Sequence, residues 1–353
     1  MSSRSELARR MNPGQQGSNP KTFVLEVHHP SSMDDVLHDL WGSESLQETA
    51  DSHLRIVRLG SDLEFWVDGL GGRFWRFHTL GAAADAHRAL KKVVDRHRWL
   101  DWPWLPTEQL RYVWPGAPIR QVSTSFDASD FSGSSMPTSR LRLRASGPDA
   151  GALLDQLGTL RSFSRSISLS GVQIRAHDEA FGADVDEAVT RDGRFVAAGG
   201  SFEFHEAIVS GVIARYEALV SAIESRLLHW EQIDGGGGVV RGTPITILFS
   251  EPVSDLNGMI EGVFNSRLPF RLWGTYEHDD MSVLVDAVDL HVGQTLTFQF
   301  TPASVTMMAN DGTCGNTVAR FVSNLQHSFD ANIRFADEEL QAAMAPTDMA
   351  VAQ

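Results

Sequence analysis

The sequence predicts an α+β protein of mostly antiparallel sheets with helices packed on one face, in two to three subdomains joined by a long central helix. Three observations predict it. Short segments alternate apolar and polar residues, as RLRLRA (Arg140–Ala145) does, and alternation is the signature of a half-buried strand. The strand-like segments come in runs rather than alternating with helices, which favours antiparallel pairing. From Glu203 to Gln232 the apolar residues recur at three and four positions, Ile208, Val212, Tyr216, Leu219, Ile223 and Leu227 among them, and so form one stripe of a helix. Such a helix would be roughly 40–45 Å long. It is expected to end at Asp234, before the glycines 235–238.

In chain order, residues 1–20 are polar and are expected to be a mobile tail. The first subdomain, 21–117, opens with a strand over Thr22–His28. A helix follows, capped by Ser31 or Ser32, with Asp34 and Asp35 in its first turn. Leu54–Leu59 is the next strand, and Leu63–Thr79 reads as a hairpin turning at Gly69–Gly72 with aromatic residues paired across it. Ala82–Arg98 is a second helix. Trp99, Trp102, Trp104 and Trp114 then fall in a proline-broken stretch, which caps the first sheet or offers a binding surface.

The second subdomain, 118–234, carries the Arg140–Ala145 strand, a helix over Asp149–Leu160, a strand over Ser164–Ala176 and the long helix 203–232. The third, 239–339, reads as a strand over Pro244–Ser250 and a helix from Ser254 to Asn265. Strands follow at Leu268–Gly274, Ser282–Leu290, Thr295–Phe300 and Ser304–Met308, then a helix over Thr317–Phe329. That order resembles helix-grip and TATA-box-binding folds in topology, a likeness that implies no function. Residues 340–353 are expected to form a second tail.

Composition limits the function classes. The chain has 353 residues, of which 42% are hydrophobic and 21% charged, as in ordinary globular proteins. A net charge of −15 repels phosphate backbones and weighs against nucleic acid as a partner. Cys314 is the single cysteine, which excludes an internal disulfide and fits a reducing compartment. No run of eighteen apolar residues is present, so no membrane partner is expected and a cytoplasmic location is.

Among motifs, the phosphate loop, the H-E-x-x-H zinc helix and the G-x-S-x-G elbow are absent, and no cofactor is implied. Cys314, in DGTCGNT before a predicted helix, is the candidate nucleophile, because exposed amides at a helix start lower a thiol pKa. His291 is its candidate base, with Asp289 on the same strand face to orient it. The plain alternative is a small buried residue in a turn. For a metal, the sequence offers only His28, Asp34 and His38, since Asp34 and His38 share a helix face. Glu277, Asp279 and Asp280 form an acidic loop without calcium-loop spacing. Arg140, Arg142 and Arg144, with Arg165 and Arg175, make a local basic cluster able to hold an acidic partner or a phosphate.

Two function classes follow. One is a non-catalytic interaction or ligand-binding module of a multi-component assembly, using Trp-rich and sheet-edge surfaces toward a protein partner, a second copy or a small ligand. The other is an unfamiliar hydrolase or transferase built on Cys314, His291 and Asp289.

Overall fold

The computed structural model describes residues 3–12, 18–131, 140–233, 236–264, 270–278 and 282–345. The fold is mixed α+β with antiparallel sheets. The chain divides into two compact units, each gathered from separated stretches. Unit one holds Met1–Pro103, Val113–Gln121 and Gly171–Ala214; unit two holds Trp104–Tyr112, Val122–Ser170 and Arg215–Gln353. The expected boundaries near 117 and 234 are therefore replaced. The reason is long-range pairing: Arg194–Ala198 joins the strand Lys21–Val27, which draws a late stretch into the first unit.

In unit one the strands run in the spatial order Leu46–Glu48, Leu54–Leu59, Leu63–Asp68, Phe74–Thr79, Lys21–Val27, Arg194–Ala198, Ala183–Thr190 and Leu169–Asp178. Lys21–Val27 lies in the middle, buried from Thr22 onward. The hairpin turns at the expected glycines, and Trp66 pairs with His78 and Asp68 with Arg76 across it. Phe65 and Phe77 meet edge to face at 6.1 Å on one side of the sheet. Successive side chains point to opposite faces, so Thr22, Asp68, Arg76 and His78 lie on the other side.

Helices cover both of these faces rather than one. On the side of Phe23 and Phe77 lie Met33–Trp41 and Ala83–Val94, placed by the ring contacts of Trp41 with Phe77 and His87 with Phe23. On the polar side lie Arg4–Met11 and the first half of the helix Phe202–Glu224. A central strand buried on both sides needs both sides covered.

The N-terminal tail expected over 1–20 contains a helix, Arg4–Met11. The Ser3 hydroxyl caps it by accepting from the Glu6 amide. Leu7 and Met11, four apart, share one face and pack on Leu54, Ile56, Trp66 and Phe202. At the other end Asp337 caps the helix Glu338–Met344, so the tail expected over 340–353 begins with helix; 346–353 lie outside the described residues.

Unit two contains a six-stranded antiparallel sheet in the order Leu272–His278, Val283–Asp289, Thr295–Phe300, Ser304–Ala309, Ile245–Leu248 and Arg334–Phe335. Along Val283–Asp289 the side chains alternate strictly between buried and exposed through Ala287, as a sheet with one covered face requires. The cover is the helix Gly315–Ser328, whose Phe321 meets Phe298 at 5.3 Å and Phe270 at 5.7 Å. Arg140–Ser146 forms a strand beside Ile119–Asp127 with its arginines outward.

The long helix is shorter than expected. It ends at Glu224, and His229–Ile233 is a strand paired with Gly237–Arg241. The apolar period of three and four runs out at Leu227, whose successor Leu228 bonds to Ala309 and Asp311 instead of continuing the helix. The glycine run thus belongs to a hairpin and not to a linker; Asp234 and Gly235 lie outside the described residues, as do Asp279 and Asp280 of the acidic loop.

Candidate functional site

The hairpin His229–Ile233 and Gly237–Arg241 forms a two-stranded sheet of its own. An isolated pair of strands is marginal in water unless something covers it. Trp230 pairs with Val240, which puts both on one face, and they are 67% and 58% exposed. The opposite face carries Glu231 and Arg241 in an ion pair at 2.6 Å, together with Ile233. Large aromatic and branched side chains standing side by side in water are the kind of group that interfaces bury. The sequence reading assigned this stretch to a helix and so missed it. The signal was present in Trp230, Ile233, Val239 and Val240 flanking a glycine turn.

The tryptophans of the proline-broken stretch are each held locally. Trp102 is buried and stacks on His87 at 5.3 Å. Trp99 meets His29 at 4.7 Å and Trp114 meets Phe204 at 5.3 Å; both are half-buried. In unit two the Trp104 amide donates to the Tyr216 hydroxyl at 2.9 Å. Arg140 pairs with Asp127 at 3.1 Å on the exposed strand face it shares with Arg142 and Arg144. Arg165 lies apart from them, buried beside Asp330 and Glu251.

Cys314, His291 and Asp289 do come together in unit two. The Cys314 sulfur and an imidazole nitrogen of His291 lie within 4.8 Å of one another. Cys314 caps the start of Gly315–Ser328, and the first amide of that helix, from Gly315, donates to Glu224 at 2.9 Å. Several donors converge on Asp289. Its carboxylate accepts from the backbone amide of His291 at 3.0 Å, from Thr317 Oγ1 at 2.6 Å and from Arg320 Nη2 at 2.7 Å. Burial pushes the Asp289 carboxyl up, but Arg320, Thr317 and that amide outweigh it and hold it below the usual carboxylate range. All three site residues are essentially buried, Cys314 at 1% exposure.

His28 and His38 are exposed, and Asp34 is bound to Arg55 through both carboxylate oxygens. Among the described residues these three do not converge on a metal-sized space.

A second polar centre, marked by no spacing along the chain, lies on the polar side of the unit-one sheet. The Thr22 hydroxyl contacts His78 Nδ1 at 2.9 Å and His205 Nε2 at 2.7 Å. His205 Nδ1 reaches Glu187 at 2.8 Å, and all four side chains are fully buried. Burial lowers His78 to a pKa of about 4, so its ring is neutral. Burial lifts the Glu187 carboxyl. It opposes charge on His205, yet Glu187 outweighs it and raises that imidazole. The Thr22 hydroxyl has one proton to share between two imidazoles; where Thr22 donates to His205, the His78 Nδ1–H donates to Thr22 and His78 Nε2 carries the lone pair.

No solved structure matches this chain. It is similar to the uncharacterized protein MJECL33 of Methanocaldococcus jannaschii, 24% identical over 88% of this chain and 84% of that protein. The family model described as MJECL33-like protein matches residues 3–343, and the chain belongs to that family.

Proposed function

We propose that this chain is a non-catalytic interaction or ligand-binding module of an intracellular, multi-component assembly, and that the hairpin 229–241 is its contact surface. The observation that carries the reading is the exposed Trp230–Val240 pair on a two-stranded sheet. Removing that pair from water contributes a large apolar area and supplies the aromatic anchor that interfaces favour. A photoreactive phenylalanine analogue placed at Trp230 tests it. One defined partner, or a second copy of the chain, is expected to be captured there. The same analogue at Leu70, equally exposed at 62% but in unit one, is expected to capture nothing comparable. Equal labelling from both positions would contradict the reading.

The hydrolase or transferase alternative is favoured by one observation, the closeness of Cys314 and His291. Against it, the thiol is buried and the Asp289 carboxylate is engaged with a backbone amide, Thr317 and Arg320. The module reading is therefore preferred.

A further inference from the structure

We propose that Asp68, His78 and Glu206 form a binding site for one divalent first-row transition-metal ion. The three residues come from two hairpin strands and the helix that covers them, all in unit one, and one donor atom from each lies within 4.8 Å of the others. His78 Nε2 and Glu206 Oε1 stand 4.0 Å apart. Neither atom has a hydrogen-bond partner among the described residues, and His78 is fully buried.

An unsatisfied buried imidazole nitrogen is costly. In the tautomer with its lone pair on Nε2, His78 faces the Glu206 carboxylate oxygen as one acceptor facing another. A cation bound to both removes the conflict. Donors about 2.0–2.2 Å from one tetrahedral ion stand roughly 3.3–3.6 Å apart, so His78 Nε2 and Glu206 Oε1 would close by about half an ångström on binding.

The surroundings orient the donors as metal sites require. The second nitrogen of His78 is fixed by the Thr22 hydroxyl, the usual arrangement for a ligating imidazole. Arg76 Nη1 holds Glu206 Oε2 at 2.9 Å and so turns Oε1 inward. Arg4 Nη2 and the Leu70 amide both bind Asp68 Oδ1, each at 2.8 Å, and the other oxygen accepts only from Arg4 among these. Each carboxylate oxygen has two lone pairs, so Asp68 Oδ2 keeps one for a cation. One imidazole and two carboxylates select manganese, iron or zinc rather than a soft thiophilic ion. Three protein donors leave further positions for water. The site is independent of the hairpin surface proposed above.

Titration calorimetry of the full chain with Zn²⁺ at pH 8 is expected to show one site. His78→Gln and Glu206→Gln are each expected to weaken it by at least about 100-fold, the upper end of what loss of an outer partner costs. Wild type that binds no Zn²⁺, or variants that bind it equally, would overturn the proposal. Should the variants not fold, X-ray absorption on Zn²⁺-loaded wild type decides. One imidazole nitrogen among oxygen donors is expected, and a shell containing a thiolate or two or more imidazoles would overturn it.

Discussion

Trp230 lies flat against Gly238, so close that a Cβ on that glycine would fall within the indole ring. The glycine therefore sets the posture of the most exposed tryptophan on the described surface, holding one ring face to the hairpin and presenting the other outward. Gly238→Val is expected to displace the indole, change its fluorescence and weaken partner capture at the hairpin. Because the ring is exposed, global stability should change by no more than about 0.5 kcal/mol. Unchanged emission and unchanged capture would show that the glycine has no such role.

Asp289 and Arg320 form a fully buried pair at 2.7 Å. Removing one partner leaves the other charge uncompensated, so Asp289→Asn should cost about 3–5 kcal/mol in urea unfolding at pH 7. The folded pKa of Asp289 is lowered, so its contribution is present above the unfolded value of 3.8 and lost as pH falls through the folded value. Wild type should thus lose more stability than the variant on acidification below pH 4. Parallel pH profiles would contradict this.

Gly315→Ala brings a methyl to within 2.6 Å of the Val220 carbonyl oxygen, a backbone atom that cannot swing aside. A cost of about 1–3 kcal/mol follows from such overpacking. Cys314→Ala, one residue earlier, is expected to keep full partner binding, since the module reading gives the thiol no chemistry. Loss of cellular function in a folded Cys314→Ala protein would favour the enzyme reading.

Leu7→Ala tests the N-terminal helix. Leu7 is 3% exposed and packs on Trp66 and Ile56. A loss of about 2 kcal/mol is expected by thermal or urea unfolding, at the low end for a buried leucine. A neutral effect would mean the helix does not dock.

The six-stranded sheet of unit two was largely legible from alternation alone, because its strands bury one face and expose the other: Thr295–Phe300 falls where the pattern puts it, and Val283–Asp289 within one residue at each end. The helix Gly315–Ser328 was legible from its apolar period for the same reason. Arg4–Met11 was not, since only Leu7 and Met11 mark its buried face and their partners come from strands fifty residues away. The stretch 225–233 reads as helix only by extension of a period that runs out at Leu227, and pairing with 237–241 makes it a strand from His229. Cys314 and His291 lie close in unit two, whereas the pairing of Asp289 with Arg320 has no visible link in the sequence. The centre around His78 was invisible for a related reason: Thr22, Asp68, His78, Glu187, His205 and Glu206 meet only through strand register.

The central claim is that the Trp230–Val240 face holds a partner. Native mass spectrometry of the chain purified gently from its own host, beside a Trp230→Glu variant of equal thermal stability, tests it most directly. A defined complex is expected for wild type and none for the variant. The same mass distribution for both chains would contradict it.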